Sequence, residues 1–273
     1  MPSKISDQQY LLREQYKDAT KLRARVQLHE RFSTNKYDWM PWVFDSLGFP
    51  AGGRILELGC GAGALWMENV DRLPSDWKVV LSDLSAGMVQ EARGVLKRSR
   101  MTCEFLVADI QTVPFADECF DGVVANHMLY HAPHVSSALS EARRVLKPGG
   151  RLLAATNGQK HMAELRETMR GFDPSVAFGP ERYSFSLENG AGQLAPWFDE
   201  MQLYRYEDSL MVTEAGPLIT YILSSIGNAE SVLVGERLDE LTTLVEEELA
   251  THSAIHITKD SGLFVAHRGI GSS

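Results

Sequence analysis

The chain has 273 residues, of which 44% are hydrophobic and 23% are charged, and its formal charge is −9. This composition is that of a globular protein with one large domain, or one domain plus a small cap, and not of a disordered or fibrous chain. The apolar runs are too short for a membrane span, no signal peptide is recognisable, and the net acidity argues against a nucleic-acid binder. Cys60, Cys103 and Cys119 show no CxxC pairing. We therefore expect a cytoplasmic enzyme without membrane insertion.

The first 50 residues are rich in aromatic side chains and predict two helices. Apolar side chains recur every three or four residues from Leu12 to Val26, which is the spacing of one face of an amphipathic helix. A Ser-Thr-Asn stretch at 33–35 interrupts this pattern. A second short helix is expected over 39–47, ended by Gly48 and Pro50.

Residues 53–156 alternate between strand and helix patterns. Short apolar runs predict strands over 54–58, 78–82, 103–108, 120–126 and 151–156, and such runs are typical of strands that are buried on both faces. Helical patterns lie over 64–73, 85–97 and 135–146. The alternation predicts an α/β fold with a mainly parallel sheet and helices on both faces.

Residues 157–273 are less regular. We expect helices over 215–225 and 231–250, and strands over 202–206, 254–258 and 263–267. The Asp-Ser-Gly sequence at 260–262 indicates a turn between the last two strands, which would then form a terminal antiparallel hairpin.

The most informative segment follows the first predicted strand. Gly59, Gly61 and Gly63 come directly after that strand, and glycines at such a point allow positive φ and the close approach of a ligand. The spacing also matches the G-x-G-x-x-A pattern of dinucleotide sites. Glu57 would repel a pyrophosphate, whereas it could hold the ammonium group of a cofactor that carries an amino acid. Its alternative role is to accept hydrogen bonds from loop N–H groups.

Five segments in order resemble the motifs of class I S-adenosylmethionine (SAM)-dependent methyltransferases of the UbiE-like type. The sequence Glu-Leu-Gly-Cys-Gly-Ala-Gly at 57–63 resembles motif I, and residues 79–88 resemble the second strand with its acidic tip. Residues 107–115, 120–127 and 144–150 resemble the third-strand motif, motif IV and the turn before strand five. The resemblance covers roughly residues 50–160. It implies a Rossmann-like sheet of seven strands, mainly parallel with an antiparallel C-terminal strand.

The resemblance implies SAM as the cofactor, S-adenosylhomocysteine (SAH) as the product, and no metal. The residues expected to bind the cofactor are Glu57, Gly59, Cys60, Gly61, Gly63, Asp83, Leu84, Met88, Asp109, Ile110, Asn126 and Arg25. Asp83 would accept hydrogen bonds from both ribose hydroxyls, or else it caps the next helix, as Ser85 also could. Asp109 would accept a hydrogen bond from the adenine amino group, or else its carboxylate only stabilises the turn in which it lies. Arg25 would meet the cofactor carboxylate, or else it is a solvated helix residue.

The segment after the fourth strand is expected to lie beside the transferred methyl group. His127 is a candidate base or acceptor-orienting group because the ordinary pKa of histidine is about 6.5; alternatively, it packs against the cofactor. Further catalytic candidates are Tyr130 and His29. Residues expected to bind the acceptor are Tyr16, Phe32, His127, Tyr130 and Trp197. Aromatic residues in these places also suit core packing.

His127, His131 and His134 form a string of histidines that could suggest a metal site. Pro133 interrupts a helix at this point, and methyl transfer from a sulfonium needs no metal. We therefore expect no metal centre.

These observations predict a SAM-dependent methyltransferase that acts on a small-molecule acceptor. The aromatic N-terminal region favours an aromatic or indole-like acceptor, with O, N and C acceptors all open. An NAD(P)-dependent oxidoreductase and a non-catalytic SAM-binding module are the alternatives. Residues 1–50 are expected to form a helical lid and residues 51–273 the SAM-binding domain, with core motifs at 53–156 and a cap with terminal strands at 157–273. We expect a monomer or homodimer with no nucleic-acid partner.

Overall fold

Seven strands form one sheet at the centre of the chain. The computed structural model describes residues 4–97, 99, 101, 103–180 and 182–270. The strands are β1 (Arg54–Leu58), β2 (Lys78–Asp83), β3 (Cys103–Val107), β4 (Phe120–Asn126), β5 (Leu146–Asn157), β6 (Glu200–Val212) and β7 (Ile255–His267). Their order is β3-β2-β1-β4-β5-β7-β6. Strands β1 to β5 pair in parallel, and β7 is antiparallel to both β5 and β6. The predicted fold class, a mainly parallel Rossmann-like sheet with an antiparallel C-terminal strand, is confirmed.

Helices surround this sheet. They are α1 (Gln8–Tyr10), α2 (Thr20–Phe32), α3 (Trp39–Asp45), α4 (Ala64–Met67), α5 (Ala86–Leu96), α6 (Val135–Val145), α7 (Ala163–Phe172), α8 (Gly190–Leu194), α9 (Ala215–Ser224), α10 (Ala229–Val232) and α11 (Glu236–His252). In the described part of the chain, none of them is long and apolar enough to cross a membrane.

The predicted helix over 12–26 is wrong as a single element. A π-helical turn covers Leu11–Gln15, and α2 begins only at Thr20. Between them, the backbone carbonyl of Tyr16 accepts a hydrogen bond from the Ser85 hydroxyl at 2.6 Å. This contact holds the segment against the start of α5, and a contact of this kind leaves no trace in local periodicity.

Two other predicted helices are interrupted. The helix over 64–73 stops at the end of α4, because the Asn69 side chain donates to the Leu65 carbonyl at 2.8 Å and the chain turns there. The helix over 231–250 is divided between α10 and α11 at Gly235, where φ is +54°. Glycine tolerates this left-handed conformation, whereas an α-helix cannot continue through it.

The predicted C-terminal hairpin is also wrong, because residues 254–267 contain one long strand. β7 pairs with β6 without interruption, from Ile255 opposite Val212 to His267 opposite Glu200. Gly262 lies in the middle of this ladder, where a Cβ atom would stand 2.6 Å from the Tyr204 carbonyl oxygen. The glycine therefore permits close approach of the two strands and does not form a turn.

Three apolar clusters hold the layers together. One face of the sheet buries a cluster that includes Phe120, Phe185 and Phe264, and the other packs a cluster around Trp66 against α3, α4 and α5. The third cluster joins α2, α7, α9 and α11 to β6 and β7. Since β5 pairs only with residues 261–267 of β7, the β6–β7 ribbon extends beyond β5 and carries this helical cap.

Candidate functional site

The loops that follow four parallel strands enclose a cavity. Because β1 to β4 are parallel neighbours, the segments after Leu58, Asp83, Val107 and Asn126 emerge at one edge of the sheet. The strand order reverses between β1 and β4, and ligands of open α/β sheets bind at such a switch point. The cavity there has a volume of about 960 Å³, and residues between 5 and 40 supply much of its opposite wall.

Most of the predicted site residues line this cavity. They are Tyr16, Arg25, His29, Glu57, Gly59, Cys60, Gly61, Asp83, Leu84, Met88, Asp109, Ile110, Asn126, His127 and Tyr130. Three predicted residues, Gly63, Phe32 and Trp197, have other surroundings.

Two glycines of the loop permit close packing, and a third exposes its backbone to the cavity. At Gly59, where φ is +68°, a Cβ atom would stand 2.8 Å from the Met128 side chain. A Cβ at Gly63 would contact Ala92 and Leu96 of α5 at 3.3 and 3.2 Å, so this glycine serves helix packing and not the cavity. Gly61 faces the cavity, and its N–H donates to the Asp83 carboxylate at 3.0 Å.

Asp83 is held by backbone donors at the end of β2. One carboxylate oxygen accepts from the Gly61 N–H, and the other accepts from the Ser85 N–H at 2.8 Å. Ser85 itself caps α5, because its hydroxyl accepts from the Met88 N–H at 3.2 Å. Asp83 is therefore not the helix cap. Burial raises the pKa of its carboxyl, an effect that the backbone hydrogen bonds oppose.

Glu57 is a buried carboxyl at the cavity wall, with 2% of its surface exposed. Its Oε2 accepts a hydrogen bond from the Trp66 indole at 2.6 Å. Desolvation raises the pKa of Glu57 to about 8, against the lowering effect of the Trp66 bond. Its hydrogen-bond partner is therefore an indole of α4 and not a loop N–H group, which the sequence offers as the alternative.

Asp109 connects the sheet edge to the N-terminal segment. Its Oδ2 accepts from the Gln8 side-chain amide at 2.7 Å, and its Oδ1 accepts from the Gln111 N–H at 2.9 Å. The second bond is the turn role that the sequence left open. The first shows that an N-terminal side chain reaches the carboxylate expected to face an adenine ring.

His127 stands at the end of β4 in a left-handed conformation, with φ +54°. Its ring packs on Trp39, with ring centroids 4.7 Å apart, and the Trp39 indole donates to Asn126 Oδ1 at 3.1 Å. His127 Nδ1 is buried without a hydrogen-bond partner among the described residues. Burial lowers the pKa of His127 to about 3, so the imidazole is neutral at physiological pH.

His131 contacts both Tyr16 and Tyr130. The Ile5 carbonyl lies 2.7 Å from His131 Nδ1, which must therefore carry the proton, and His131 Nε2 accepts from the Tyr16 hydroxyl at 3.0 Å. The Tyr130 ring packs against His131 with centroids 4.6 Å apart. With both its nitrogens engaged, His131 is not available to the histidine string. In the described part of the chain, no cluster of His, Cys, Asp and Glu is arranged to hold a metal.

Two acceptor-site predictions are wrong. Phe32 is 8% exposed and belongs to the cap cluster with Leu28 and Leu210, and it does not line the cavity. Trp197 packs against the core beneath the sheet, and its carbonyl accepts from Arg143 at 2.7 Å. Both side chains are apolar and half-buried or buried for packing reasons, a property that sequence cannot distinguish from an acceptor pocket.

Arg25 lines the cavity and is not a fully solvated helix residue. Its Nη1 donates to the Ser224 carbonyl at 2.8 Å, and its guanidinium lies 5.6 Å from the centre of the Tyr16 ring. The structure also brings to the cavity residues that the sequence analysis missed, namely Gln8, Trp39, His161, Arg166 and Lys259. Most of these lie outside the recognisable motifs, so only the fold could place them.

Comparisons with known proteins agree with this geometry. Residues 56–154 match the family model described as "Methyltransferase domain". The chain is 31% identical over 172 residues to the demethylmenaquinone methyltransferase of Beutenbergia cavernae, a match that covers 60% of this chain and 67% of that protein. It is 31% identical over 170 residues to the ubiquinone/menaquinone biosynthesis C-methyltransferase UbiE of Hahella chejuensis, covering 62% of this chain and 63% of that protein. The matched region thus spans about two thirds of these relatives.

A solved structure shows the same fold. Phosphoethanolamine N-methyltransferase 2 of Haemonchus contortus, in complex with SAM, superposes with a TM-score of 0.60 at 18% identity. The superposition covers 96% of this chain and 60% of that one. At this identity the likeness concerns the fold.

Proposed function

Because this chain belongs to the class I SAM-dependent methyltransferases, we propose that it transfers a methyl group from SAM to a small aromatic acceptor bound in the same cavity. The observation that carries the proposal is that one cavity joins two walls of different chemistry. The strand-end wall carries the glycine loop with Glu57, Asp83 and Asp109, and the facing wall carries aromatic and imidazole rings.

The strand-end residues fit SAM by the chemistry of their polar atoms. Asp83 and Asp109 offer the carboxylate oxygens that ribose hydroxyls and an adenine amino group need as acceptors. Glu57 offers a carboxylate to an ammonium group. Among the described residues, a Cβ at Gly61 would contact only Leu22, at 3.5 Å, so the loop backbone is accessible from the cavity. When bound, SAM supplies an electrophilic methyl group on a sulfonium.

His127 acts on the acceptor by positioning it. A histidine whose pKa burial lowers to about 3 is a weak base, so it is unsuited to removing a proton before attack. Its buried Nδ1 has no partner among the described residues, and a polar group of the acceptor would satisfy it. The Trp39 ring beside it offers a flat surface on which an aromatic acceptor can stack.

Residues 1–50 act as the lid over this reaction site. Three contacts support this role: the Gln8 amide on Asp109, the Tyr16 hydroxyl on His131, and the Ser85 hydroxyl on the Tyr16 carbonyl. Closure of such a segment excludes water and holds the reactants together, which is the main contribution a protein makes to methyl transfer.

The relatives favour a carbon atom as the methyl acceptor, since one of them is named a C-methyltransferase. An indole, a phenol or a quinol would offer such a carbon within a flat ring. Analysis of the product by NMR decides between C-, N- and O-methylation.

Calorimetric titration with SAH, SAM and NAD tests the proposal, followed by incubation with SAM and aromatic acceptors and detection of methylated product by mass spectrometry. We expect SAH and SAM to bind and NAD not to bind. Binding of NAD in place of SAH would contradict the proposal and favour an oxidoreductase. SAH binding without any methylated product across a broad acceptor panel would instead favour the non-catalytic SAM-binding module.

A further inference from the structure

Four side chains from the part of the chain that forms the cap cluster make up a basic pole in the cavity. The basic pole consists of His29, His161, Arg166 and Lys259, all of which line the cavity. The rings of His29 and His161 stack with centroids 6.3 Å apart, and an Arg166 N–H donates to the His161 carbonyl. Burial lowers the pKa of both histidines, and the nearby Lys259 ammonium lowers each of them further.

The basic pole offers hydrogen-bond donors that have no acceptor among the residues that the structure describes. Arg166 donates to two backbone carbonyls, those of His161 and Gln159, which leaves three of the five guanidinium N–H groups. His161 Nδ1 accepts from the Asp260 N–H at 3.3 Å, so the proton of its neutral ring is on Nε2. His29 Nδ1 is buried without a hydrogen-bond partner among the described residues.

The positive charge of the pole is only partly compensated. Lys259 forms an ion pair with Asp208, whose carboxylate is fully buried and also accepts from the Asn35 N–H at 2.9 Å and the Ser209 N–H at 2.8 Å. Within the described ranges, Arg166 forms no ion pair with a carboxylate. The pole therefore carries an excess positive charge, whereas Asp83 and Asp109 place carboxylates on the strand-end wall.

We propose that the methyl acceptor is an aromatic carboxylic acid whose carboxylate binds at this basic pole. The inference rests on the proposed function and names the class of its acceptor. A planar guanidinium and a carboxylate form directed, charge-assisted hydrogen bonds, and the Tyr221 ring, 5.7 Å from that of His29, gives the aromatic part a surface to pack on. The carboxylates of Asp83 and Asp109 on the strand-end wall suit the cationic cofactor, so the cavity offers sites of opposite charge to the cofactor and to the acceptor.

The test compares matched acids and amides on the SAH-loaded protein. The probes are indole-3-carboxylate, 4-hydroxybenzoate and anthranilate, each paired with its primary carboxamide, and binding is measured by calorimetry at neutral pH. We expect at least one acid to bind about tenfold or more tightly than its amide, because only the acid satisfies the excess charge. Amides that bind as tightly as their acids, or no binding of any acid at millimolar concentration, overturn the proposal.

Variants of α7 locate the interaction. Arg166→Gln should lower the affinity for the acid about tenfold, change the affinity for its amide by no more than about twofold, and leave the affinity for SAH unchanged. Arg166→Lys should retain most of the affinity for the acid. Arg170→Gln is the matched control, because Arg170 lies one turn further along the same helix, is exposed, and does not line the cavity. Equal effects of Arg166→Gln on acid and amide, or equal effects at positions 166 and 170, overturn the assignment.

The two proposals fail in different ways. A protein that binds neither SAH nor SAM would overturn the methyltransferase proposal, and the acid–amide comparison on the ligand-free protein would still test the basic pole. If the protein binds SAH but binds acids and amides equally well, only the proposal of a carboxylate site at the basic pole is overturned. The melting temperature and SAH affinity of each variant show whether it is folded.

Discussion

Replacing Glu57 with glutamine removes an ionisable group from the end of β1 and keeps an oxygen that can accept the Trp66 indole hydrogen bond. Burial raises the pKa of Glu57 from 4.5 to about 8 in the folded chain. Between these values the folded chain holds a proton that the unfolded chain has released. The free energy of unfolding therefore falls as the pH rises through this window.

The window above pH 6.5 isolates this effect. Burial lowers the pKa of His29 and of His127 from 6.5 to about 3, and it lowers the pKa of His131 and of His161 as well. Groups with lowered pKa values of this kind cost stability only as the pH falls below 6.5. From pH 6.5 to pH 8 the Glu57 contribution remains. Its slope approaches about 1.4 kcal/mol per pH unit well below pH 8 and falls to half of that at pH 8, so the change over this range is about 1.6 kcal/mol.

Urea denaturation of the ligand-free protein between pH 6.5 and pH 8 measures this difference. We expect the wild-type protein to lose stability across this range relative to Glu57→Gln. The control variant Glu167→Gln, at an exposed position of α7, keeps Glu57 and should lose stability to the same extent as the wild type. A difference between wild type and Glu57→Gln that stays constant with pH would refute the raised pKa. If the ammonium of SAH engages Glu57, binding near neutral pH should also release up to about one proton, which calorimetry in buffers of different ionisation enthalpy detects.

Three further predictions concern the cavity. Asp83→Asn should weaken SAH binding by about 10–100-fold, the value of hydrogen bonds to a charged group; unchanged affinity by calorimetry would contradict the ribose role. Gly87→Ala should lower SAH affinity and turnover, because its Cβ would stand 2.0 Å from the Lys17 carbonyl oxygen and displace the lid. Its control is Gly94→Ala in the same helix, whose Cβ would meet no described residue within 4 Å and which should add up to about 1 kcal/mol of stability. Equal behaviour of the two variants would argue against lid docking. His127→Ala should lower kcat and leave SAH affinity within about twofold, and a loss confined to SAH affinity would reassign His127 to the cofactor.

The central strands were predictable because their local sequence and their environment agree. Each of β1, β2 and β4 contains a short run of buried apolar residues, and burial on both faces of the sheet is the physical cause of that run. The loops after these strands carry glycines and carboxylates at fixed distances from the strand ends. Once the strands are parallel neighbours, their geometry brings Gly61, Asp83 and Asp109 to one edge of the sheet.

Other features depended on contacts between distant parts of the chain. The sequence at 260–262 has the composition of a turn, yet β6 supplies thirteen paired positions along β7 and keeps this segment extended. Phe32 and Trp197 show a second limit of prediction from sequence. Periodicity indicates that such a side chain is buried, and it does not indicate whether its neighbour is the core or a ligand.

The sequence by itself determined the sheet class, the family and most of the strand-end residues that line the cavity, because those properties are encoded in short segments whose backbone geometry is local. Only the tertiary structure placed Gln8 on Asp109 and gathered His29, His161, Arg166 and Lys259 into one pole. These residues come from α2, the β5–α7 connection, α7 and β7, more than 200 positions apart at the extremes. Their proximity follows from the β6–β7 ribbon that carries the cap over the sheet edge, and it is this packing that gives the cavity its charge polarity.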